Sequence, residues 1–117
     1  MSPPLSDWAE LFDFACALPG AEAGSYYGHP AVKASANGRA VVTAGCEPGS
    51  FVLHIDQERK AMLLDLDPER FWQTPHFERW PALLVRYGPD EDGLAAGWIE
   101  RALELAAARP RPRPRKA

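Results

Sequence analysis

Apolar residues near the beginning of the chain recur at the spacing of one helical face. These residues are Trp8, Leu11, Phe12, Ala15 and Cys16. Ser6 is a suitable N-cap, Asp7 would lie in the first turn, and Pro19 with Gly20 ends the pattern. The spacing therefore predicts a first helix whose acidic side chains face outward.

Short runs with β-branched residues follow, separated by turn residues. We interpret residues 21–30 as a loop that contains glycine, and residues 31–35 and 40–44 as two strands. Asn37-Gly38 separates the two strands, and this pair tolerates the positive φ angles of a tight primed turn. The pattern therefore predicts a β-hairpin.

The middle of the chain predicts a third strand, a helix and further short elements. Residues 51–55 fit a strand that places Phe51, Leu53 and Ile55 on one face. An aspartate caps a helix over about residues 57–65, and an Asp-Pro pair starts a short helical turn at residues 68–72. The apolar run at residues 82–87 predicts a buried strand, and residues 77–80 are interpreted as part of another strand.

A last helix is expected to begin near the acidic residues 90–92, to continue through the apolar positions of residues 94–106, and to stop at Pro110. The resulting order α-β-β-β-α-β(β)-α predicts an α+β fold with helices packed on an antiparallel sheet. We assign residues 1–108 to one domain. Residues 109–117 are expected to be a disordered basic tail, because alternating prolines exclude an α-helix.

Composition is that of an ordinary globular chain, but its charge is divided unevenly. Of the 117 residues, 46% are apolar and 25% are charged, which suffices for one core. The net charge of −3 consists of +5 in residues 109–117 and −8 in the remainder, so a polyanion would need a local basic patch. Two cysteines and the lack of a leader or a membrane-spanning stretch favour a cytoplasmic protein that does not enter a membrane.

Residue types that carry catalysis or bind metals occur in this chain, but without the required spacing. Cysteines and histidines do not form the close pairs of a zinc site. Neither a G-x-S-x-G motif nor a phosphate-binding glycine loop is present. We therefore expect no catalytic residue, no metal and no cofactor.

Several short motifs occur in a distinctive order over about residues 8–107. They are Leu18-Pro19-Gly20, Pro30-x-x-Lys33, Glu58-Arg59, Asp67-Pro68-Glu69-x-Phe71 and Thr74-Pro75-His76-Phe77. In this order and spacing, the chain resembles the MmcQ/YjbR family. The resemblance implies a CyaY-like or secretion-chaperone-like fold. It also implies a DNA-binding role through a double-wing arrangement of loops and strands, without an established catalytic residue.

The resemblance and the local charges together predict a set of nucleic-acid-binding residues. The set is Lys33, Arg59, Lys60, His76, Arg79, Arg86, Arg109, Arg111, Arg113, Arg115 and Lys116. Glu58 also matches a polar position of the family pattern. The chain departs from that pattern at His54, where a basic residue is frequent, and at Glu78-Arg79, where glycine is frequent. Both departures would weaken a polyanion-binding surface, so we expect weak, salt-sensitive DNA binding.

The same residues allow two other interpretations. A protein-interaction or chaperone-like adaptor would use an exposed sheet face or an apolar patch that contains Trp72 or Trp80. In a purely structural interpretation, Glu58 and Arg59 brace the second helix, and Arg86 pairs with an acid at a sheet edge. The sequence leaves all three alternatives open.

Overall fold

The computed structural model describes residues 5–45, 47–88 and 93–109. The helices are α1 (Trp8–Cys16), α2 (Gln57–Leu66) and α3 (Leu94–Ala107), with a short 3₁₀ turn at Pro75–Phe77. The strands are β1 (Ala21–Tyr26), β2 (His29–Ala34), β3 (Ala40–Ala44), β4 (Ser50–His54), β5 (Phe71–Trp72) and β6 (Ala82–Arg86). They form an antiparallel sheet in the order β1-β2-β3-β4-β6-β5, which confirms the predicted α+β class.

One face of the sheet forms the main hydrophobic core with the helices. Phe51 and Leu53 of β4 and Val85 of β6 are each 1% exposed, and Leu11 of α1 and Ile99 of α3 are fully buried against this face. Each such side chain contributes roughly 1.5–3 kcal/mol by its burial. Because a shift of one residue would turn a strand's buried side chains outward, this core fixes the register of the sheet.

The opposite face of the sheet is only partly covered. Val52, Ala82 and Leu84 form a second, smaller cluster, and Trp72 and Phe77 pack against it. Helix residues belong to the first cluster and not to this one, as far as the described residues show. The segment around the 3₁₀ turn therefore covers β4 and β6, and a concave surface remains beside it.

Residues 21–30, predicted as a loop, form β1, the turn at residues 27–28 and the first two residues of β2. β1 pairs with β2 along its whole length. Tyr27 and Gly28 make the turn with φ angles of 49° and 81°, and two successive positive φ angles are characteristic of a type I′ turn. The loop prediction is wrong because alanine, glycine and serine give this strand little β-propensity of its own, and pairing with β2 determines its conformation.

Two predictions for the segment between α2 and β6 are also wrong. Residues 68–72 are not helical throughout, because Phe71 and Trp72 extend as β5 and pair with β6. Residues 77–80 are not a strand, because they continue from the 3₁₀ turn into a further turn. In both places, packing against β6 outweighs the local sequence preference.

Asn37-Gly38 lies in a longer connection than the predicted tight turn. Residues 35–39 join β2 to β3, and within the connection only Gly38 has a positive φ, of 74°. The Asn37 side chain is buried, and its Nδ2 donates to the carbonyls of Ala106 at 2.6 Å and Arg109 at 2.9 Å. The connection therefore ties the hairpin to the end of α3.

The helix boundaries follow the predictions closely. Asp7, not Ser6, caps α1 by accepting a backbone N–H of the first turn at 2.9 Å. Asp56 caps α2 in the same way at 2.8 Å. Residues 90–92 and Pro110, the predicted start and stop of α3, lie outside the described residues. None of the helices in the described ranges combines the length and apolarity that crossing a membrane requires.

Candidate functional site

A groove of about 400 Å³ lies on the partly covered face of the sheet, and we call it the aromatic groove. The β1–β2 hairpin forms one side, and residues 76–80, which include the end of the 3₁₀ turn, form the other. The rings along these two sides belong to Tyr26, Tyr27, His29, His76, Phe77 and Trp80. The floor consists of Thr43, Ala44, Val52, His54 and Ala82. The groove is thus an apolar cleft between two rows of rings.

Two aromatic side chains at the groove are well exposed. Tyr27 is 75% exposed and Trp80 is 48% exposed. Contiguous exposed apolar surface marks candidate interaction sites, and aromatic residues are enriched where proteins bind partners. The His76 ring lies near the rings of Phe77 and Trp80, with centroid separations of 5.2 and 6.4 Å. One side of the groove therefore presents several rings close together.

His54 forms the polar part of the groove floor. Its Nε2 shares a hydrogen bond of 2.8 Å with Thr43 Oγ1, and its ring meets the edge of Tyr26 at a centroid distance of 4.9 Å. Burial lowers the pKa of His54 from 6.5 to about 4, because the imidazolium would lose hydration there. The floor is therefore uncharged at neutral pH.

A second concavity of about 390 Å³, the cationic pocket, adjoins the aromatic groove. Lys33, Arg39 and Arg109 line it together with one acid, Asp56. The Asp56 carboxylate already has partners, since it caps α2 and forms an ion pair of 2.7 Å with Arg59. The local balance of charge in this pocket is therefore positive, although the chain as a whole is acidic.

The two concavities share three lining residues, Tyr26, His54 and Pro81. Lys33 reaches the cationic pocket from β2, with its aliphatic stem lying across β1 beside Gly24. A Cβ on Gly24 would come within 3.1 Å of the Lys33 Cδ, so the glycine leaves room for this stem. Aromatic surface and positive charge therefore form one continuous site.

Lys60 is predicted from the sequence to contact DNA, but it does not lie on the surface. The residue is 3% exposed. Its ammonium donates to the carbonyls of Phe77, Glu78 and Trp80 at 2.7, 3.2 and 2.9 Å. Lys60 is therefore buried too deeply to contact a nucleic acid, because its charge is used inside the protein.

The other predicted cations do not form one patch. Arg59 pairs with Asp56 on α2, and Arg79 is exposed on the turn after Phe77. Arg86 lies 4.8 Å from the Trp72 ring, and its Nε donates to a backbone carbonyl at 2.7 Å. This arginine is four residues along β6 from the groove, which is about 13 Å in a strand.

The remaining predicted residues fall into two groups. His76, Lys33 and Arg109 line the site, whereas Arg111, Arg113, Arg115 and Lys116 lie outside the described residues. Three further lining residues, Tyr26, Tyr27 and Arg39, are not among those predicted from the sequence. The Tyr-Tyr-Gly-His run at residues 26–29 is the signal for the two tyrosines, since two tyrosines beside a turn glycine indicate rings at a hairpin tip.

The described side chains of this site offer binding chemistry. In the parts of the chain that the structure describes, no three residues of the metal-binding types come together. Cys16 is partly buried, and burial together with the charge of Asp13 raises the pKa of its thiol, which disfavours a nucleophilic thiolate. The site can stack planar groups and attract anions.

Comparison with known proteins gives no match to a family model, to a curated protein or to a solved structure. A functional assignment for this chain therefore rests on its own residues and geometry.

Proposed function

We propose that this chain is an MmcQ/YjbR-like, CyaY-like cytoplasmic module that binds single-stranded DNA and has no catalytic activity. Bases occupy the aromatic groove, and neighbouring phosphates lie at the cationic pocket. The observation that carries the proposal is the shared wall of Tyr26, His54 and Pro81, which joins stacking surface to positive charge.

Two general properties of single strands fit this site. Unpaired bases expose their faces, and stacking one base on an aromatic side chain is worth about 1–3 kcal/mol. Phosphates attract lysine and arginine without regard to sequence. Trp80 and Tyr27 supply exposed rings, and Lys33 supplies a cation that no described side chain pairs with. Stacking and phosphate attraction therefore act on the same ligand.

Duplex DNA fits the described surface less well. A duplex needs several phosphate contacts along one face, but Arg59, Arg79 and Arg86 lie on separate elements. The acidic character of residues 1–108 also opposes a large polyanion. A flexible single strand can enter a concave site that a duplex cannot. We therefore place the predicted DNA binding in the groove and not on a flat basic patch.

Fluorescence anisotropy with a labelled oligothymidine at low salt tests the proposal. Trp80→Ala is expected to weaken binding roughly tenfold, because one stacking surface is lost. Lys33→Ala should reduce the log–log salt slope by about 0.7, the value for one phosphate contact on a single strand. Arg101→Gln, which removes an exposed cation of α3 away from both concavities, is the matched control.

The basic tail needs a separate control because it could bind DNA on its own. A full-length variant with Arg111, Arg113, Arg115 and Lys116 changed to glutamine removes that contribution. If this variant still binds and Trp80→Ala weakens it, the groove is responsible. Loss of all binding in the tail variant, or equal binding by the wild type and Trp80→Ala, would contradict the proposal.

A protein segment is the second candidate ligand, favoured by the apolar floor of the groove. Val52, Ala82 and Phe77 would accept an aliphatic or aromatic side chain. A peptide selected from a random library against the wild type would then lose binding to Trp80→Ala while being unaffected by salt. Steep salt dependence and competition by oligothymidine would instead favour the first candidate.

A further inference from the structure

Lys60 occupies an unusual position for a charged residue. It projects from α2, is 3% exposed, and makes no ion pair with a described carboxylate. An ammonium group has three N–H donors and no acceptor. The ammonium donates to the carbonyls of Phe77, Glu78 and Trp80, at 2.7, 3.2 and 2.9 Å. Its hydrogen-bonding capacity is therefore fully used within the fold.

We propose that Lys60 is a positioning residue of the aromatic groove, whose ammonium fixes residues 77–80 so that Phe77 and Trp80 form one side of it. The inference rests on the proposed function only in taking the groove as the binding site, and it does not depend on the ligand. Lys60 lines neither concavity. It acts on a ligand through the turn alone.

The backbone bonds of the turn are almost all local. Phe77 N donates to Thr74, Glu78 N to Pro75, and Trp80 N to Phe77, at 2.9, 3.3 and 3.0 Å. Such bonds shape the turn but do not hold it against the rest of the protein. Besides the bond from Ile55 N to the carbonyl of residue 81, at 3.0 Å, the bonds from Lys60 are the long-range polar attachments of this segment among the described residues.

Burying the Lys60 ammonium costs desolvation free energy that a buried apolar residue would not cost. Burial lowers the pKa of Lys60, and the negative charge of Glu78 partly opposes that effect. An apolar side chain at the same place would fill the space without this desolvation cost. It would, however, leave the Phe77 and Trp80 carbonyls with local backbone donors only and the Glu78 carbonyl without a described donor. The hydrogen bonds to residues 77–80 therefore account for a lysine at this buried position.

Limited proteolysis of the folded protein by trypsin tests the inference. The bond after Arg79 lies within the turn, and the bond after Arg39 lies in the β2–β3 connection as an internal reference. Because three hydrogen bonds from a charged donor are lost, Lys60→Met should raise cleavage after Arg79 at least about tenfold. Cleavage after Arg39 should remain at the wild-type rate. Arg101→Met, which removes an exposed cation, is the control and should change neither rate.

The ratio of the two rates separates local release from general destabilisation. An unchanged rate after Arg79, or an equal increase after Arg79 and Arg39, would overturn the inference. Because Lys60→Met could prevent folding, a measurement on the wild type accompanies it. In protein labelled with ¹⁵N-lysine, the Lys60 ammonium protons should exchange with water at least about tenfold more slowly than those of Lys33, and equally fast exchange would contradict the proposal.

Oligothymidine binding then connects the turn to the groove. Both proteins carry glutamine in place of Arg111, Arg113, Arg115 and Lys116. Compared with this tail variant, the protein that also carries Lys60→Met should lose most of its affinity for oligothymidine and should show selective cleavage after Arg79. If the wild type itself does not bind oligothymidine, the proposed function fails, but the proteolysis result still decides the role of Lys60. If binding by Lys60→Met equals that of the wild type, the positioning role is wrong.

Discussion

Acid should destabilise this protein through His54. Burial gives the folded state a His54 pKa of about 4, against 6.5 for the ordinary group. Between these values the unfolded chain binds a proton that the folded protein excludes, so the free energy of unfolding falls as pH falls through this window. Integrating the difference from about pH 7.5 to about pH 5 gives a loss of about 2 kcal/mol from this residue alone.

Urea unfolding of the wild type and of His54→Gln at about pH 7.5 and about pH 5 measures this contribution. Subtracting the pH dependence of the variant from that of the wild type cancels other titrating groups that do not contact His54. The expected difference is about 2 kcal/mol. His76→Gln makes the same chemical change at an exposed position and is the control variant.

Identical pH dependence in the wild type and His54→Gln would refute this reasoning. It would mean that the imidazole is protonated in the folded protein as readily as in the unfolded chain. The floor of the aromatic groove would then be accessible to water and charged in mild acid, and the hydrogen bond with Thr43 would not restrict it.

Three substitutions test the packing around the site by thermal and urea unfolding. Asn37→Ala should cost about 2–3 kcal/mol, because its buried amide joins the β2–β3 connection to α3, and a loss under about 0.5 kcal/mol would contradict this. Gly45→Ala should cost about 1–3 kcal/mol, since the new Cβ would lie 2.7 Å from the carbonyl oxygen of Ser50, and wild-type stability would show that the strand can relax. Gly97→Ala should instead stabilise by about 0.5–1 kcal/mol, because this helical position has nothing within 4 Å, and a loss of stability would reveal an unseen contact.

Sequence alone identifies the elements whose signals are local. The cap at Asp56 and the alternating residues 51–55 suffice to predict α2 and β4, since a cap and a period act within a few residues. β1 carries no such signal. Its alanine, glycine and serine residues become a strand because β2 offers a pairing edge, and that edge exists only in the folded sheet. The wrong predictions therefore concern segments that are shaped by distant neighbours.

In the candidate site, too, some residues can be predicted from local sequence and others depend on tertiary contacts. Lys33 and His76 can be selected from the sequence because they match polar positions of the family that the chain resembles, and both line the site. Lys60 resembles them in sequence, yet its carbonyl partners are 17 to 20 residues away along the chain, so its burial depends on tertiary structure. Tyr26 and Tyr27 are not predicted as site residues because neither β1 nor the turn after it is predicted from the sequence. Charge and residue type therefore predict candidates, and packing decides which of them share a surface.

The most direct test of the central claim is an NMR titration of the ¹⁵N-labelled protein, with the tail cations changed to glutamine, against a short oligothymidine. Binding in the groove predicts the largest chemical-shift changes at the Trp80 indole N–H and at the amides of Tyr26, Tyr27 and Lys33. Residues of α2 that face away, and the region around Arg86, should shift little. Changes confined to the Arg86 region, or no saturable changes at about 50 mM salt, would contradict the account, since low salt favours any phosphate contact.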